Sequence, residues 1–321
     1  MLKRVLRLTL SIAVLTLMGA PANATYPERT ISLIVPFAPG GGTDLTARTF
    51  SPYLEKYLGG TKVIIVNRPG AGGQVGATEI AHVAPDGYTV GLLTVPYMLT
   101  HPFERETRYT VDSFEPLGNM VFDYSVLATT PDSPFKSLKD VVEYAKAHPS
   151  QLTVASAGIG SNTHIDLMMF EQAAGIKLVH VPFGGGGASR NALLGKHVDL
   201  CASAIGDMQR FAEEGKVTVL GIHKKTCLET APNIPTFAEQ GFPLFNGAAR
   251  GLIGPKGMPK EAVDVLSEAT FKACRDPEFV KKSAGMSLPL DCMKHDDYAA
   301  YLQKAYKDLG DLWKTSPWTK E

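Results

Sequence analysis

Short apolar segments that run through glycine-rich turns into amphipathic stretches recur along most of this chain, and that alternation constrains the fold more than any other feature. Ile31-Ser-Leu-Ile-Val-Pro36 reads as a strand, Thr43 to Leu58 as a helix stopped by Gly59-Gly60, and Val63-Ile-Ile-Val66 as a second strand. Gly76 to about Ala84 reads as a helix closed by the turn Pro85-Asp86-Gly87, and Tyr88 to Leu93 as a third strand. Strands separated by helix-length segments pair in parallel, because the chain must cross back over the sheet before the next strand starts. After an irregular stretch containing Pro and Tyr the pattern resumes, with strands at Ser125 to Thr129, Leu152 to Ser156, Leu178 to Val181, Val198 to Ser203 and Val217 to Ile222. Helices are expected between them at Leu138 to Ala147, Thr163 to Ala174 and Ala188 to Leu194. The last quarter reads as mostly helical, over Lys260 to Ala273, Pro277 to Ala284 and Asp296 to Lys314. The segments Ile31 to Thr43 and Ile176 to Ala188 echo one another as strand, Val-Pro-Phe, glycine run and helix, which suggests two similar lobes.

The first 24 residues stand apart from this pattern. Lys3, Arg4 and Arg7 precede an apolar run from about Leu8 to Leu17, and Ala22-Asn23-Ala24 supplies the small residues of a cleavage site. This is the make-up of a secretory signal peptide, too short in its apolar part to span a bilayer. The mature chain is then expected to begin at Thr25 and to work outside the cytoplasm. Removing the signal takes three basic residues and no acidic ones, so 32 − 3 = 29 basic residues face 32 acidic ones, a net charge of −3. That balance argues against nucleic acid or an anionic membrane surface as partners. The four cysteines, Cys201, Cys227, Cys274 and Cys292, all lie in the exported part, where disulfides form. The expected pairs are Cys201 with Cys227 and Cys274 with Cys292.

Four glycine-rich loops follow strands: Pro39 to Asp44, Pro69 to Gly73, Gly158 to Thr163 and Gly184 to Gly187. The first and third lead straight into helices. Such a loop exposes backbone N–H groups at a helix N-terminus, where the helix dipole adds partial positive charge, and it can hold a carboxylate or phosphate without Lys or Arg. Two of them facing across a cleft would hold a small dianion by its ends. Sharper chemistries fail. There is no P-loop, no dinucleotide fingerprint, no nucleophile elbow around Ser156, and no histidine pairing of metal-ligand spacing, so neither metal nor cofactor is expected. Asp44 is expected to cap its own helix.

Five ordered blocks then carry a family resemblance. Tyr26 to Asp44, Val66-Asn-Arg-Pro-Gly-Ala-Gly-Gly73, Ala84-Pro-Asp-Gly-Tyr-Thr89, His180-Val-Pro-Phe183 and Ile234-Pro-Thr-Phe-Ala-Glu239 resemble the Bug proteins, the extracytoplasmic solute receptors of tripartite tricarboxylate transporters. The resemblance implies an α/β, two-lobed type II periplasmic binding fold with two mixed sheets and a hinge. It assigns residues 26–125 and 247–321 to one lobe and 126–246 to the other. It implies a periplasmic, monomeric receptor that binds a small carboxylate and hands it to membrane subunits of the transporter. It points to Phe37, Ala38, Gly40, Gly41, Thr43, Asp44 and Gly72 on the first lobe as ligand contacts. On the second lobe it points to Gly158, Gly160, Ser161, Thr163, His164, Phe183 and Asp207, with Arg250 near the crossing. Phe183 stands where the family usually has Tyr, Gly184-Gly185 where a basic residue and glycine are common, and Arg250-Gly251 where Trp-Gly is frequent. Arg250 would then replace the lost cation, or else form a hinge ion pair. A secreted α/β hydrolase and a sensory binding protein remain the competing readings.

Overall fold

The computed structural model describes residues 26–40, 42–228, 231–286 and 288–319; the expected signal peptide and Gly41 lie outside them. The strands in chain order are β1 (Ile31–Val35), β2 (Val63–Asn67), β3 (Thr89–Val95), β4 (Phe114–Thr129), β5 (Thr153–Ser156), β6 (Val179–Pro182), β7 (Leu200–Ala204), β8 (Thr218–Ile222), β9 (Gly247–Pro255) and β10 (Leu290–Met293). The helices are α1 (Gly42–Tyr57), α2 (Gln74–His82), α3 (Tyr97–Glu104), α4 (Leu138–Ala147), α5 (Asn162–Ala174), α6 (Gly186–Leu194), α7 (Ile205–Glu213), α8 (Lys260–Cys274), α9 (Pro277–Ala284) and α10 (His295–Thr315).

Two parallel units form as the alternation requires: β2-β1-β3 in the first lobe, and β6-β5-β7 in the second. Each is completed by antiparallel strands, so both sheets are mixed. In the first lobe β9 runs antiparallel to β3 and to β4, and β10 pairs with β4. In the second lobe β4 lies between β7 and β8. The 16-residue β4 therefore serves both lobes. It pairs with β9 as far as Tyr124 opposite Gly247, and with β7 from Ser125 opposite Ala204. The chain crosses back between β8 and β9. Helix α5 is tied to both crossings: Asn162 Nδ2 donates to Ser125 Oγ at 3.2 Å, and Asn246 Nδ2 donates to Asp166 Oδ1.

The first sheet is buried on both faces. Leu33 and Val35 of β1 face a cluster with Phe50, Leu54, Leu266 and Phe279, while Ile34 between them faces Ile80, Leu93 and Tyr298. Side chains alternate across a strand, so burying both faces demands an unbroken apolar run, which is what β1 has. Local chemistry sets the helix ends. Ser137 caps α4 by accepting from Asp140 N at 3.2 Å, while Asp140 Oδ2 accepts from Ser137 N at 2.9 Å. Gly175 ends α5 in the left-handed conformation, φ 63°.

Three elements exceed what the sequence pattern shows. β4 begins at Phe114, well before the expected Ser125, because Pro116 and Gly118 mask the strand signal and the register against β9 shifts between them. No strand is expected from the sequence over β9, yet it sits at the centre of the sheet, between β3 and β4. A Cβ at Gly251 would lie 2.3 Å from the Tyr298 ring, so the glycine is there to admit a buried aromatic. α3 is hidden by Pro96 before it and Pro102 within it.

One cysteine pair forms and the other does not. Cys274, at the end of α8, is bonded to Cys292 in β10, with the Cα atoms 5.8 Å apart. Cys201 and Cys227 are both free, which corrects the expected first pair. The reason is the strand order. Ala128 of β4 lies opposite Cys201 on one side and Val219 on the other, so β4 separates the strand of Cys201 from the strand that leads to Cys227. Two ladder spacings, roughly 10 Å, are too far for a disulfide. Among the described residues no helix is long and apolar enough to cross a membrane.

Candidate functional site

The carboxyl ends of the parallel strands of both lobes open on one cavity of about 510 Å³. This is where open α/β sheets place ligands. From the first lobe it is lined by the β1–α1 loop (Phe37, Ala38, Pro39), the first turn of α1 (Gly42, Thr43), Thr94 and Tyr97. From the second lobe come Ala157 and Ser161 to Thr163 at the start of α5, Gly184 to Gly186 at the start of α6, and Ala204 to Asp207 around the start of α7, Ile205 excepted. Asp123 of β4 and Ala248 and Arg250 of β9 form the floor between the lobes. Four helix N-termini, those of α1, α5, α6 and α7, thus meet around one space. Their first-turn N–H groups have no intrahelical acceptor.

The loops are held in shape by their own hydrogen bonds. In the first, Asp44 is buried; its Oδ2 accepts from Gly40 N at 2.8 Å and Arg48 Nε at 2.9 Å, and its Oδ1 accepts from Asn67 Nδ2 at 2.9 Å. Burial pushes the Asp44 carboxyl up, but the bonds from Arg48, Gly40 and Asn67 outweigh it and hold it below its ordinary value. The carboxylate therefore locks the loop, and Gly40 N–H is consumed in doing so. In the second, Ser161 Oγ donates to Gly158 O at 2.6 Å and caps α5 by accepting from His164 N, and Thr163 Oγ1 accepts from Ala157 N at 2.9 Å. Gly160 N donates to His164 Nδ1 at 3.2 Å. His164 stacks on His180 with centroids 4.0 Å apart, and burial, then the His180 charge, drive its pKa down to about 3. It is a neutral acceptor inside the loop.

Among the described residues, charge in the lining comes from three side chains. Arg250 sends both Nη1 and Nη2 to Asp123 Oδ2 at 3.2 Å, with the two side chains only 11% and 5% exposed. Asp123 Oδ1 accepts from Gly206 N at 3.0 Å, so this ion pair also links β4 and β9 to the start of α7. A Cβ at Gly42 would come 3.3 Å from Arg250 Nη2, which places the guanidinium against the N-terminus of α1. Asp207, in the first turn of α7, is half-buried; burial and the Asp123 charge push its carboxyl above the usual range, against the opposing pull of Arg250 and Arg190.

Of the residues marked from sequence, Phe37, Ala38, Thr43, Ser161, Thr163, Asp207 and Arg250 line this cavity. Gly40, Asp44, Gly158, Gly160 and His164 shape its loops from behind. Gly72 lies in a second layer, where a Cβ would meet the Tyr97 hydroxyl at 2.9 Å, and Tyr97 in turn stacks on Phe37. Phe183, partly buried, packs against the core of the second lobe. Gly41 lies outside the described residues. Sequence reasoning missed Thr94, Tyr97 and above all Asp123, whose signal was a lone acid inside the apolar run Val121 to Val126. Among the described residues no group of three or more His, Cys, Asp or Glu could hold a metal ion.

Comparison with known proteins agrees with this architecture. A family model described as the tripartite tricarboxylate transporter family receptor matches residues 46–316. A UPF0065 protein from Cupriavidus necator is 31% identical over 305 residues, covering 92% of this chain and 90% of the relative. The solved structure of the periplasmic binding protein BugD superposes with a TM-score of 0.78 at 30% identity, over 92% of this chain and all of that one, 100%. MatC from Rhodopseudomonas palustris, solved with bound malate, gives a TM-score of 0.77 at 28% identity, over 89% and 99% of the two chains. The chain therefore belongs to the receptor family of the tripartite tricarboxylate transporters, two-lobed solute-binding proteins of the Bug type.

Proposed function

We propose that this receptor captures a small carboxylate between its lobes, in the periplasm, and delivers it to a tripartite-type membrane transporter. The observation that carries the reading is the cavity itself, in which helix N-termini from both lobes and one arginine converge on a space of about 510 Å³. Backbone N–H groups at a helix start recognise an anion without a dedicated cation. The malate held by the related MatC fits the same chemistry. The export signal expected over residues 1–24 supports the location. The hinge is proposed at the two crossings, Tyr124–Ser125 and Asn246–Gly247, which leaves 26–125 with 247–321 in one lobe and 126–246 in the other. A ligand touching both walls would favour the closed arrangement by its differential contacts.

The role is read as binding without turnover. The Ser156 hydroxyl does meet His180 Nε2 at 2.6 Å, but Ser156 is fully buried and its Oγ also accepts from Gly158 N at 3.2 Å, so a substrate carbonyl has no approach to it. The receptor is proposed to act as a monomer. A thermal-shift screen over free carboxylic acids and their methyl esters tests the reading. A true ligand at one hundred times its Kd stabilises the folded state by about 2.7 kcal/mol. No shift with any acid, or equal shifts with acid and ester, would overturn it. Uptake of the identified acid by cells with and without the receptor tests delivery to a transporter.

A further inference from the structure

The lining of the cleft holds two carboxylates, Asp123 and Asp207, and one guanidinium, Arg250. Among the described residues, no lysine or histidine lines it. Asp123 is spoken for: Arg250 holds one of its oxygens and Gly206 N the other. Asp207 is not. Its carboxylate makes no hydrogen bond with the described residues, and its ion-pair contact, Arg190 Nη1 to Oδ1, is a long 3.9 Å. Arg190 is itself engaged elsewhere, donating Nη1 to the Asp207 backbone oxygen at 3.2 Å and lying over the Phe211 ring at 4.5 Å. The Asp207 carboxylate also fills the space beside Gly186, where a Cβ would sit 2.2 Å from Oδ2. The N-terminus of α6 thus already has a negative group of the protein's own beside it. A ligand with a negative charge at each end would bring its second charge against this wall.

Resting on the reading of the cleft as a carboxylate site, we propose that the ligand is a zwitterion: its carboxylate lies on the α1 side near Arg250, and an ammonium group a few bonds away donates to Asp207. The short spacing follows from the contacts. Arg250 touches Asp123, Asp123 touches Gly206, and Asp207 is the next residue, so cation and free acceptor belong to one neighbourhood. An α-amino acid has that spacing, and the rest of the cavity accepts its side chain.

The test is calorimetry on the full mature chain with matched sets that differ only at the α carbon: amino, hydroxy and unsubstituted acids, from three-carbon monoacids through four-carbon diacids to aryl-substituted acids. Within the set that binds best, the amino acid is expected to bind at least tenfold tighter than the hydroxy acid, and the unsubstituted acid to bind weakest. Asp207→Asn, which keeps the shape and removes the charge, is expected to bring the three within about threefold. A hydroxy or unsubstituted acid binding as well as the amino acid overturns the proposal while leaving the carboxylate reading intact. An amino preference that survives Asp207→Asn overturns the role of Asp207. Failure of every set to bind overturns both readings. The wild-type ranking decides the ligand class even if the variant folds poorly.

Discussion

Replacing Arg250 with alanine separates ligand recognition from the integrity of the hinge, because the arginine takes part in both. Its two terminal nitrogens lie 3.2 Å from one oxygen of Asp123, and neither side chain has much access to water. Removing one member of so buried a pair leaves the other charge uncompensated, at a cost of about 3–5 kcal/mol. Here Gly206 N still serves Asp123 Oδ1, so the lower figure, about 3 kcal/mol, is expected. At roughly 2–4 °C per kcal/mol for a chain of this class, the melting temperature without ligand falls by about 6–12 °C. Affinity is a separate quantity. A charge-assisted hydrogen bond to a carboxylate contributes about 1.5–3 kcal/mol, or roughly 10- to 100-fold in Kd. The double variant Asp123→Asn with Arg250→Ala removes the orphaned charge, so it is expected to regain much of the stability and none of the affinity. Calorimetric titration with the tightest acid from the screen, beside scanning calorimetry without ligand, reads the two effects independently. A Kd within threefold of wild type together with a lowered melting temperature would reduce Arg250 to a hinge ion pair. An unchanged melting temperature would refute the burial argument itself.

Four further outcomes are expected. His101, His164 and His223 are held neutral by burial with pKa values near 3, against about 6.5 when unfolded. The unfolded chain then binds up to three extra protons, so stability is complete above pH 6.5 and declines as pH falls towards 3, by up to about 4 kcal/mol per pH unit if all three act; urea melts from pH 7 to 4.5 that show no decline would exclude this. Asp276, held at about pKa 2 first by Lys56 and then by Tyr57 and the α9 amides it caps, adds stability present above pH 4 and lost between about pH 4 and 2, and Asp276→Asn is expected to abolish that acid limb. Native protein treated with a thiol reagent should react at Cys227 alone, since Cys201 is buried with its thiol pushed up to about 12; reducing Cys274–Cys292 should lower stability by about 3 kcal/mol, and rapid labelling of Cys201 in the folded protein would contradict the placement of β7. Gly251→Ala would set a Cβ 2.3 Å from the buried Tyr298 ring and should cost about 2–3 kcal/mol, and a melting temperature within 2 °C of wild type would show that the ring has room to move.

Local chemistry by itself determined the repeating units of this protein. The apolar runs at Ile31 and Thr153, the glycine turns behind them and the Ser161 and Ser137 caps are each specified by residues within one turn of one another, and the parallel units and the two anion-competent helix starts follow from them. Tertiary structure decided everything that depends on residues distant in sequence. β9 is a central strand although three of its nine residues are glycine, because Tyr298, more than forty positions later, occupies the space above Gly251. Cys201 remains unpaired because β4 is inserted between its strand and β8. Asp44 looked like a helix cap or a ligand contact, and became a lock on Gly40 once Arg48 and Asn67 closed around it. Asp123 and Arg250 lie 127 positions apart and carry no shared local signal. Only the pairing of β4 with β9 sets them side by side, and only burial there makes a carboxylate and a guanidinium seek each other as partners.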